Sequence, residues 1–101
     1  MTKQRAESFH VLEVEEFLHR FPELCHLRVR RRDDCLTLES GLAQDPVRHA
    51  RFRRDTAHLW RLEVARHTGR WDKTPFRDQL AALLDLLITL FPWTLAPIEE
   101  I

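Results

Sequence analysis

From Ser8 the apolar positions recur at helical spacing. Val11, Val14, Phe17, Leu18 and Phe21 fall on one face, with Glu13, Glu15, Glu16 and Arg20 largely off it. Pro22 ends this helix, because it lacks the amide that would continue the ladder. The start is ambiguous: in "FHVLEV" Leu12 and Val14 also alternate with Val11 and Glu13, so residues 9–14 fit helix or strand. Residues 1–7 read as a frayed polar tail.

The period then changes from 3.6 to two. Leu27 and Val29 alternate with Arg28 and Arg30, and Leu36 and Leu38 with Cys35, Thr37 and Glu39. A turn over Asp33-Asp34 sets Arg32 opposite Cys35, Val29 opposite Leu38 and Arg28 opposite Glu39. Both faces are chemically consistent in that one register. "GLAQDP" reads as a loop. Beyond it Ala50 and Phe52 point one way, and His49, Arg51 and Arg53 the other. "RDTAH" turns the chain, and Trp60, Leu62 and Val64 alternate with Arg61, Glu63 and Ala65. "HTG" turns it again, with Gly69 free to adopt a left-handed conformation, and Trp71 falls on a short last strand. Thr74-Pro75 resembles an N-cap and first helical residue. The helix runs to about Leu90, with Phe76, Leu80, Leu83, Leu84, Leu87 and Phe91 as its stripe, and Pro92 ends it. Trp93, Leu95 and Ile98 of the tail pack back on the body.

This order predicts a single α+β domain of 101 residues. It comprises a four- to five-stranded antiparallel meander sheet, with N- and C-terminal helices packed on one face. There is no apolar run of membrane-spanning length. "MTKQRAES" lacks the apolar core of a signal peptide, so the expected location is the cytoplasm. Cys25 and Cys35 lie far apart in the predicted ladder, which argues against a disulfide and for free thiols.

Charge sharpens the picture. The formal net charge is zero, yet residues 28–77 hold thirteen Lys/Arg against seven Asp/Glu, while the flanks hold three against nine. Arg28, Arg30, Arg32, Arg51, Arg53 and Arg61 share the predicted outer face, where only Glu39 and Glu63 oppose them. Such a face could hold phosphates through bidentate contacts. The plain alternative is a solvated face with cross-strand ion pairs. Trp60, Trp71 and Phe52 are assigned to the core, which leaves no aromatic among the outer arginines for a base to stack on.

Other chemistry is not indicated. The two glycines form no phosphate-cradling loop, and neither GxSxG nor HExxH occurs. Asp33-Asp34 suits a turn and Glu15-Glu16 a helix surface. Cys25-His26 with Cys35 is the one cluster with metal-ligand character, and adjacent extended residues point to opposite sides. Neither catalytic residues, metal nor cofactor is expected.

The second helix carries one further feature. Ala82, Leu86 and Thr89 form a second stripe, which Trp93 continues if the turn persists. Cover from a second copy would explain it, as would cover within the chain.

Pro46 to about Leu87 resembles short bacterial proteins classed as a domain of unknown function, through "PVRHARF", "LWRLEV" and "GRWDKTP" leading into a helix. The resemblance implies an α+β domain with a meander sheet and carries over no site residues. The sequence thus favours a small non-enzymatic accessory or protein-interaction domain, with a protein partner or a homodimer. Nucleic-acid or polyanion binding through the arginine face is the alternative, and a small hydrolase or metal-binding protein a third reading.

Overall fold

The helical spacing from Ser8 folds as α1 (Ser8–His19) in the computed structural model, which describes residues 4–66 and 70–96. Residues 9–14 are therefore helical. The His10 side chain turns inward, where Nδ1 accepts the Glu7 amide at 2.9 Å, as in a capping box. A 3-10 turn (Pro22–Leu24) follows the helix. Within the segment read as a frayed tail, Ala6 is anchored: it is buried, donates its amide to Asp33 O at 2.9 Å, and its carbonyl accepts Arg31 Nη1 at 3.2 Å.

Five antiparallel strands lie in chain order: β1 (Arg28–Arg32), β2 (Cys35–Leu42), β3 (Asp45–Arg54), β4 (Trp60–Ala65) and β5 (Trp71–Asp78). The β1–β2 register pairs Arg28 with Glu39, Val29 with Leu38 and Arg32 with Cys35, as the alternation predicts. Asp33 takes a left-handed φ of 52°, which a short polar side chain tolerates in a tight turn. "GLAQDP" is not a loop. There β2 and β3 continue their ladder, Gly41 facing Pro46 and Leu42 facing Asp45, and the chain reverses over Ala43 and Gln44. Gly41 has φ 78°, a conformation that favours glycine.

The C-terminal part corrects the boundary drawn at Thr74-Pro75. Strand β5 runs on to Asp78, and α2 (Leu80–Leu90) begins after Gln79. Phe76 therefore belongs to the strand, half-buried against the core, with its ring edge-on to Phe91 at 6.1 Å. A 3-10 turn (Pro92–Leu95) closes the described chain and buries Leu95. The turn "HTG" with Gly69, and Ile98 of the tail, lie outside the described residues.

Helices α1 and α2 cover one face of the sheet. Val14, Phe17, Leu18, Leu83, Leu84 and Leu87 meet Leu36, Leu38, Ala50, Phe52, Trp60 and Leu62 in one buried cluster. Among the described residues no helix is long and apolar enough to cross a membrane. The opposite face of the sheet is left to the arginines.

A candidate anion-binding face

Each outer-face arginine owes its direction to strand alternation, because cross-strand partners project from the same side. Two carboxylates organise most of them. Glu39, only 1% exposed, accepts Arg28 Nε at 3.3 Å and Arg30 Nε at 2.9 Å. Glu63, 3% exposed, accepts Arg51 through Nε and Nη2 at 3.1 and 2.8 Å, and Arg53 Nε at 3.0 Å. Asp34, buried at the β1–β2 turn, adds a longer pair to Arg53 at 3.5 Å. Negative charge therefore lies in the floor of the face and the guanidiniums stand above it.

The six arginines do not form one cluster. Arg30, Arg32, Arg51 and Arg53 line an open basin of about 770 Å³ together with Arg31 and Arg48. Arg28 sits beside it on Glu39, its Nη1 donating to Gly41 O at 2.6 Å. Arg61 lies apart, where Asp55 pairs with both Arg61 and Arg77. Among the described residues the Arg32 and Arg48 side chains form no hydrogen bond or ion pair. Arg48 was not among the sequence candidates, and it reaches this face because a bulge pairs it with Glu39.

Burial pushes the Glu63 carboxyl up, but hydrogen bonds and charge from Arg51 and Arg53 outweigh it and hold the group below its ordinary value. The Arg53 guanidinium is raised in return, chiefly by its hydrogen bond to Glu63. Both partners stay charged at neutral pH. Cys35, beside this network, is pushed up to about 11, mainly by burial, so its sulfur stays a thiol. Cys25 and Cys35 are free cysteines. Among the described residues no group of three or more His, Cys, Asp or Glu could hold a metal ion.

Two aromatic assignments change. Trp60 is core, 2% exposed, with His10 edge-on to its ring at 4.8 Å. Trp71 is not. It pairs with Ala65 on the arginine side, and the Arg51 guanidinium stacks on its ring at 4.4 Å. An aromatic therefore does stand among the outer arginines. Lys73, two residues on and paired with Glu63, was the signal that could have placed Trp71 on that face.

His49 also moves. The β2–β3 register shifts between Leu38 and Glu39, so Ala50 faces Leu38 while Arg48 faces Glu39, and His49 is the extra residue. Instead of pointing out with Arg51 and Arg53, it is buried. Its Nδ1 donates to Thr94 O at 2.6 Å, and Nε2 lies 2.7 Å from Ser40 Oγ. His26 Nε2 donates to the neighbouring carbonyl of Leu95 at 2.7 Å. A serine against a histidine is also the arrangement of a nucleophile and its base. A nucleophile needs open approach for a substrate carbonyl, whereas Ser40 is buried. The group reads as a clasp that ties the last turn to the sheet.

The second stripe of α2 is partly covered within the chain. Ala82 and Leu86 are half-buried, Leu86 against the core, while Thr89 and Trp93 are exposed. Comparison with known proteins finds no matching family model, curated protein or solved structure.

Proposed function

We propose that this is a small non-enzymatic interaction domain whose working surface is the arginine face, and that its partner is a polyanion bearing phosphates. One observation carries the reading: two buried glutamates each hold two guanidiniums in place. Burying a carboxylate is costly, and apolar side chains of similar size would serve stability as well or better. What the arrangement supplies is orientation. The Arg30, Arg51 and Arg53 guanidiniums bind the floor mainly through their Nε edge and keep other donors for an anion above it. Arg32 and Arg48 add charge that no described residue neutralises.

The test uses exposed, unpaired positions, so that folding is not at issue. Arg32→Ala and Arg48→Ala should each weaken binding to polyphosphate and lower the salt-dependence slope by about one unit per lost contact. Glu63 and Glu39 keep their own partners in both variants. The reading fails if the unmodified protein binds neither polyphosphate nor nucleic acid at low salt.

A further inference from the structure

A second cleft opens beside the arginine basin. It has a volume of about 560 Å³, and Trp71 and Trp93 contribute to its walls, with Arg48 and Arg66 alongside them. Trp71 and Arg48 also line the basin, so cleft and basin form one continuous surface. We propose that this cleft takes an unpaired nucleobase, so that the face binds single-stranded nucleic acid rather than a bare polyanion. The inference rests on the anion-binding reading above and adds the class of ligand.

Trp93 is 68% exposed, which is unusual for the largest apolar side chain. It is nonetheless held. Phe91 packs edge-on to its ring at 5.7 Å, and the turn carrying it is fastened by Thr94 Oγ1 to Phe91 O at 2.8 Å and by His49 to Thr94 O. Trp71 is held by Arg51 stacked on its ring. Held aromatics beside a cationic track are the elements from which sequence-tolerant single-strand sites are built, bases stacking on rings while phosphates follow the arginines. An apolar peptide would leave Arg48 without a counter-charge. A duplex would hide the faces of its bases and could use only the arginines.

The experiment measures affinity for short oligothymidylate, short oligouridylate, duplex DNA and inorganic polyphosphate, at one salt concentration. The single strands, of either sugar, should bind more tightly than the duplex. Trp93→Ala should weaken single-strand binding about tenfold, and Trp93→Phe should restore most of it. Neither variant should change affinity for polyphosphate. Unchanged single-strand affinity in Trp93→Ala, with polyphosphate still bound, overturns the nucleobase site and leaves the anion-binding reading intact. A protein that binds none of the four probes overturns both.

Discussion

Trp60 and Trp71 show how one residue type takes opposite roles within a single pair of strands. Trp60 is in phase with Leu62 and is sealed by the helices, whereas Trp71 pairs across to Ala65 and lies under Arg51. Removing the first should therefore be a stability event. Trp60→Ala is expected to cost about 3–5 kcal/mol, read as a lower urea midpoint with little change in slope. A loss within experimental error would contradict its burial. The alternation around Trp60 could be read directly, because Leu62 and Val64 repeat it on both sides of Arg61 and Glu63. Trp71 could not be placed the same way, since it opens its strand and has no apolar residue two positions on to set its phase.

At the scale of elements, the β1–β2 hairpin was legible to the residue, because hydrophobic and charged positions agree in only one register. The β5–α2 junction was not. Thr-Pro is a common helix opening, but here Pro75 occupies the outer edge strand, where a missing amide is tolerated. Around it the β4–β5 register shifts between Arg61 and Glu63, and Thr74 repairs the break. Its hydroxyl donates to Leu62 O at 2.8 Å and accepts the Phe76 amide at 3.3 Å. Thr74→Val keeps the shape and removes both bonds, so a loss of about 1 kcal/mol is expected. Thermal melts read it, and a variant as stable as the parent would show that the hydroxyl is dispensable.

For the molecule as a whole, acid should act in two stages. His49 is shifted below its ordinary value, first by burial, against which the Thr94 hydrogen bond works. His10 is lowered too, by burial and then by Arg54. Both are neutral in the fold, so their contribution is complete above the unfolded value of about 6.5 and is lost as pH falls through the lower folded value. Glu63 follows the same direction from a lower start. Its contribution is present above the ordinary carboxylate value of about 4.3 and disappears below it. Urea midpoints should decline first below about pH 6.5 and again below about pH 4.3. Equal midpoints at about pH 7 and about pH 5 would contradict the burial of the two histidines.

The sequence by itself determined the order helix, sheet, helix, the antiparallel meander and the register of the first hairpin. These depend on periodicity and turn chemistry, which are local and repeat along the chain. It also placed Arg28, Arg30, Arg32, Arg51, Arg53 and Arg61 on a common side, since alternation fixes the phase of a strand away from a bulge. Tertiary structure decided the rest. One extra residue in β3 turned His49 inward and brought Arg48 outward, and only the neighbouring strand selects where that residue goes. Sequence alone placed Glu39 and Glu63 on the arginine side, but their depth depends on the side chains that close over them. The continuity of the Trp71–Trp93 cleft with the arginine basin joins β3, β5 and the final turn. Segments so far apart in the chain share no period, and packing alone brings them together.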